Sequence, residues 1–183
     1  MILNYRIEST LIFKGVLSLF NHKFEKNLLS AIFIINLILL IPIITRKKPI
    51  KVWILLYIYN AATNVLKDKF VVNRKIVKYP VRIFPNVFKI HVLFDLFVYP
   101  TITVLFNQMT MKDKPLGILV KLFSFIIPMI VVEYWAVRKT NLITWSKGWK
   151  LSHTFLGLTL ATLHSRVLLG FLKRKLWRNE EWG

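Results

Sequence analysis

His91, Asp95 and Tyr99 recur at every fourth position, a spacing that projects all three from one face of a helix. Asn60 and Asn64 repeat the interval, and Glu133 and His153 add a carboxylate and an imidazole inside otherwise apolar sequence. Carboxylates and imidazoles brought together can ligate a divalent cation or relay a proton. The same side chains can equally act as interhelical hydrogen-bonding and ion-pairing groups. The sequence favours that structural role, because no H-E-x-x-H or other tight ligand spacing is present and each residue lies within about two turns of an expected helix end. No catalytic residue, metal or cofactor is assigned. His164 follows His153 by eleven residues, almost the same helical face, with Gly157 and Ala161 between them. Small residues four apart predict close approach of a neighbouring helix, with the histidines turned inward but about 16 Å apart along the axis.

The elements that must carry these residues are apolar helices. Leu28 to Thr45 contains no charged side chain and is polar only at Ser30, Asn36 and Thr45, which meets the length and composition of a membrane span. Backbone groups cannot be left unpaired in hydrocarbon, so a span of this kind must be helical. Further spans are expected over 50–66, 90–108, 116–137 and 151–172, the second being the shortest and most polar. Trp53, Tyr57 and Tyr59 read as its interfacial aromatics. Pro100 predicts a kink in the third, with a freed carbonyl that a neighbouring helix has to accommodate. Ser9 to Phe20 carries apolar residues at helical spacing opposite Lys14 and Ser18, which predicts an amphipathic helix lying in the interface, followed by a polar connection over 21–27. The expected fold is a single all-α integral membrane bundle of five transmembrane helices plus this N-terminal helix. The 183 residues, 55% hydrophobic with a mean hydropathy of +0.52, suit one such domain.

The formal charge of +19 would in a soluble protein point to nucleic acid. Here the basic residues gather at the ends of apolar runs, where they meet anionic lipid head groups instead, and nucleic-acid binding is not expected. Arg46, Lys47, Lys48, Arg82, Lys173 and Arg174 are the head-group candidates, and Arg166 reads as a further anchor. Lys67 to Lys89 is expected to be a long basic loop hugging the surface. With five crossings, the N-terminal segment, this loop and the 138–150 connection share a side carrying fifteen of the 27 Lys and Arg, and ten lie on the other. The positive-inside rule then puts the N-terminus in the cytoplasm. The absence of cysteine excludes disulfides, thiolate nucleophiles and Cys-ligated metals.

No G-x-S-x-G, P-loop or G-x-G-x-x-G pattern occurs, which argues against a hydrolase of that design and against nucleotide-driven transport. Around EYWAVRKTNLITWSKGW, with FDLFVYP upstream, the chain resembles an uncharacterised family of small multi-pass membrane proteins of spore-forming Gram-positive bacteria. That resemblance implies a bacterial cell-membrane protein and supplies no activity or site residue. The expected role is a non-catalytic accessory or subunit protein that binds lipid or the helices of other membrane proteins. The alternative is a small transporter or metal-dependent membrane enzyme built on Asp95, Glu133 and His153.

Overall fold

In the computed structural model the backbone of residues 2–146 and 148–176 and the side chains of residues 23–146 and 148–175 are described. The first helix, α1, runs from Ile2 to Thr45 as one element. The connection expected over 21–27 is therefore helical. That segment is polar but contains neither glycine nor proline, and polarity alone does not stop a helix already in progress. The amphipathic face expected over Ser9 to Phe20 lies outside the described side chains. α1 ends where expected: Thr45 donates its hydroxyl to Ile41 O at 2.9 Å, Arg46 N bonds Pro42 O, and Pro49 opens α2 in extended conformation.

α2 covers Ile50–Asn73, longer than the 50–66 expected, so Lys67, Asp68 and Lys69 are helical rather than loop residues. Its end is unusual. Lys75 adopts a left-handed φ of 57°, with Lys75 N bonded to Val72 O and Ile76 N to Val71 O. This pattern closes a helix most easily on glycine, and a side chain there costs about 1 kcal/mol. The chain then pairs as a two-residue strand, β1 (Val77–Lys78), antiparallel to β2 (Thr144–Trp145), with Val77 opposite Trp145. The two connections expected to share one side are thus hydrogen-bonded to each other. Arg82, a head-group candidate, is half-buried: its guanidinium donates to Tyr79 O, Pro85 O and Phe88 O at 2.6 to 2.8 Å and staples the loop between β1 and the next helix.

Leu93–Val98 is a π-helical segment that leads directly into α3 (Tyr99–Met109). α4 (Pro115–Lys139) and α5 (Leu151–Leu176) complete the bundle. α3 lies in the middle, with buried residues on every side, and the other four helices surround it. Val52, Trp53 and Leu56 of α2 pack on Val104 and Leu169; Leu122 and Ile126 of α4 pack on Phe106; Leu29 of α1 packs on Leu93, Val81 and Leu142. Trp53, expected at an interface, is fully buried in the first of these clusters.

α3 is polar for a core helix, and several of its side chains bond to its own carbonyls and to neighbouring helices. Thr103 and Asn107 bond the carbonyls of Tyr99 and Thr103 one turn back, and Ser165 accepts from both Asn107 (3.1 Å) and Asn60 (2.9 Å). Thr101 reaches Asn36 Oδ1 on α1. The outer faces are the reverse. Ile38, Ile41, Ile58, Ile127, Val131, Leu160 and Phe171 are all more than half exposed. A polar interior inside an apolar exterior suits lipid as the surrounding solvent. Among the described residues three helices are long and apolar enough to cross a membrane: Lys23–Thr45, Pro115–Lys139 and Leu151–Lys175.

Pro100 explains the π segment. It has no N–H to give Leu96 O four residues earlier, and the part-buried carbonyl is taken by Tyr57 Oη from α2 at 2.7 Å. This is the accommodation by a neighbouring helix that the sequence called for. Tyr57→Phe should destabilise the fold by about 1–3 kcal/mol, the cost of leaving such a group unpaired. In a Pro100→Ala background, where Leu96 O regains an N–H, the same change should cost clearly less. A double-mutant cycle in detergent unfolding measures the difference.

Candidate functional site

At the ribbon end of the bundle, where α2 and α5 stand apart, lies a cavity of about 510 Å³. α2 contributes Asn64, Lys67 and Asp68, the π segment Asp95, α4 Glu133 and α5 His153 and Thr154. The local sequence explains each placement. The extra turns of α2 carry Asp68 inward, the widened π turn presents Asp95, and Glu133 sits two turns from the end of α4.

Asp95 is 2% exposed. Asn64 Nδ2 donates to its Oδ1 at 2.8 Å, while its Oδ2 is buried without a hydrogen-bond partner. Asp68 is its neighbour, within hydrogen-bonding reach, and is itself fixed by Tyr79 Oη on Oδ1 (2.7 Å) and by His91 N on Oδ2 (3.1 Å). Two adjoining carboxyls offer acceptors and no donor, so the pair has room for a shared proton or a bound cation. Glu133 accepts from Thr154 Oγ1 at 3.0 Å, and Thr154 in turn accepts from Trp149 Nε1 at 3.1 Å. Burial, reinforced by the charges of Asp68 and Asp95, pushes the Tyr79 phenol well above the usual tyrosine range.

Of the six polar residues singled out in the sequence, four meet at this cavity: Asn64, Asp95, Glu133 and His153. The other two do not. Asn60 is one turn deeper, bonded to Leu56 O and Ser165. His91 stands beside the cavity wall, its ring edge-on to Tyr79 at 5.2 Å. Both histidines act as helix caps through Nδ1: His91 accepts from Phe94 N at 3.2 Å and His153 from Lys150 N at 3.0 Å. A neutral imidazole with Nδ1 so engaged carries its proton on Nε2 and has no lone pair to offer a metal. Among the described residues no three His, Asp or Glu side chains gather closely enough to hold a metal ion.

Several sequence expectations need correction here. Gly157 and Ala161 receive no neighbouring helix; a Cβ added at Gly157 would meet nothing within 4 Å, and both residues line the cavity. His164 does not point inward. It is exposed and shares a 2.6 Å hydrogen bond with Tyr59 Oη. Asp68, Tyr79, Thr154 and Trp149 also belong to the site. Asp68 was the legible one, being the sole acid in a strongly basic stretch. Glu25, 1% exposed at the same end, also escaped notice; its Oε1 accepts from Asn141 N at 2.7 Å and ties α1 to the 140–150 connection.

Cations converge at the opposite end, on the last carbonyls of α3. Lys47 Nζ donates to Gln108 O (3.0 Å), Lys121 Nζ to Met109 O (2.9 Å) and Arg166 to Thr110 O (2.7 Å). They satisfy groups that a helix end leaves unpaired and complement its dipole. Lys47 and Arg166 are thereby engaged within the protein. Burial and then the neighbouring Arg46, Lys112 and Lys121 charges lower the Lys47 ammonium. Arg46, Lys48 and Arg174 are exposed, and Lys173 is half-buried.

Tyr79→Phe removes the hydrogen bond to Asp68 and should cost about 1–3 kcal/mol at neutral pH. Because the folded-state phenol is raised above its unfolded value of about 10, its contribution is complete below that pH and falls as pH rises beyond it. The stability gap between the native chain and Tyr79→Phe should therefore narrow above about pH 10, and unfolding measured from pH 7 to 11 checks it.

Compared with known proteins, the chain matches no family model, no curated protein and no solved structure.

Proposed function

We propose that the chain is a multi-pass membrane protein that crosses the bilayer five times and acts without catalysis, by taking a lipid-phase ligand into the cavity at its ribbon end. One observation carries this reading: the carboxyl-lined cavity is bordered by Leu66 and Phe70, exposed apolar residues of α2, and by Gly157 on the facing side of α5. Such an opening looks toward hydrocarbon. α2, with 24 residues, is long enough to cross, and the π segment with α3 spans about 25 Å inside the ring formed by the others. The distribution of Lys and Arg supports a cytoplasmic N-terminus and puts the cavity in the inner leaflet. Arg46, Lys48 and Arg174 remain available to head groups. Membership of the small multi-pass family that the chain resembles would agree with this assignment.

A second reading, a small cation-coupled transporter, is favoured by the Asp68–Asp95 pair, since paired carboxyls in a membrane are a recurrent proton or cation relay. The metal-dependent enzyme has less support, because both histidines are occupied as caps.

A phospholipid carrying a photoreactive group on its acyl chain should label the 64–71 and 157–161 segments as well as the outer faces at Ile38 and Val131. Gly157→Leu, which fills the cavity, should abolish labelling of the first two segments and leave the outer faces labelled. Labelling confined to the outer faces in the native chain would count against the proposal.

A further inference from the structure

Three of the eight acidic residues of this +19 chain line one cavity. Its basic surroundings make that unlike a solvated charge cluster. Among the described residues no cationic side chain lies within ion-pairing distance of Asp68, Asp95 or Glu133, and the ion pair present is Lys121–Asp113 at the far end. Lys67 lines the same cavity and acts on Asp95 at longer range. The neutral donors that reach these carboxyls are few: Asn64 to Asp95 Oδ1, Tyr79 and His91 N to Asp68, Thr154 to Glu133. Asp95 Oδ2, buried in a residue 2% exposed, still lacks one. An ammonium would supply both the missing donor and a charge to balance the carboxyls.

The remaining walls say what that charge is attached to. Trp149, Tyr79 and Phe94 supply aromatic surface for a cation, while Leu66, Phe70 and Leu158 are apolar and lead toward the bilayer. A cavity of about 510 Å³ is far larger than a metal ion needs.

We infer that the cavity binds an amphiphile with a primary ammonium head, the ammonium donating to Asp95 Oδ2 and Asp68 and the chain passing between α2 and α5 over Gly157. A quaternary head group has no N–H and leaves Asp95 Oδ2 unmatched. An anionic head group would face three carboxyls. This inference rests on the proposal that the cavity takes a lipid-phase ligand and adds the chemistry of its head.

Thermal unfolding of the full chain in neutral maltoside micelles at pH 7 tests it with four probes: dodecylammonium, dodecyltrimethylammonium, dodecanol and propylammonium. Dodecylammonium should raise the unfolding temperature saturably and more than any of the others. Asp95→Asn keeps the side-chain shape, and both it and Asp68→Asn should weaken the apparent affinity by roughly tenfold, the scale of one lost charge-assisted hydrogen bond. Asp113→Asn, at the opposite end, should leave it unchanged. Equal stabilisation by dodecanol would overturn the ammonium assignment while leaving a lipid-phase ligand in place. Equal stabilisation by dodecyltrimethylammonium would overturn the N–H requirement, and by propylammonium the need for a chain. An unchanged affinity in both Asp variants would overturn the site. If none of the four probes shifts the unfolding temperature, both this inference and the proposed function fail.

Discussion

Every polar backbone group at the centre of this protein has to find a partner inside the protein, and α3 is where the requirement is hardest to meet. Pro100 removes the N–H that Leu96 O would use, the π turn before it displaces the regular ladder, and the helix ends after eleven residues with its last carbonyls exposed to whatever surrounds them. Other elements meet each demand. Tyr57 reaches across from α2 to Leu96 O, and Lys47, Lys121 and Arg166, from three separate parts of the chain, cover the carbonyls of Gln108, Met109 and Thr110. The surrounding elements are thus fixed in position by what α3 lacks.

The same irregularity places the site. A π turn opens the helix by one residue, and such turns recur at functional positions because they re-aim a side chain that a regular helix would bury elsewhere. Here the re-aimed residue is Asp95. α2 and α5 are held together deeper in the bundle by Asn60 and Ser165, and nearer the ribbon the small residues Gly157 and Ala161 leave a gap between them. Asp68, Asp95 and Glu133 line that gap.

The apolar runs were legible because they are long and their composition leaves few alternatives: four of the five helices end within a few residues of where hydropathy and the Pro and Lys/Arg boundaries put them. The rest depended on contacts distant in sequence. α2 runs past Leu66 because Lys75 takes a left-handed turn usually reserved for glycine, so no residue type announced the end, and Asp68 was read as loop. A two-residue ribbon has too little periodicity to detect. Gly157 and Ala161 looked like a packing face, since small residues permit close approach, and only the observed position of α2 shows that they border a space. His91 and His153 looked like ligands; their Nδ1 atoms serve as caps, a role that depends on the turn preceding each helix. Pro100 was the exception, because the missing N–H follows from the residue alone.

The proposed five crossings put the ribbon end and the α3 end of the bundle on opposite sides of a membrane. The chain contains no cysteine, so single cysteines can be introduced without further change. Lys48, Lys112, Lys78 and Thr144 are all exposed, the first two at the α3 end and the last two at the ribbon end. With a membrane-impermeant maleimide on intact cells, Lys48→Cys and Lys112→Cys should be labelled, and Lys78→Cys and Thr144→Cys should be labelled only after permeabilisation. Labelling of Lys78→Cys and Lys112→Cys from the same side would rule this topology out.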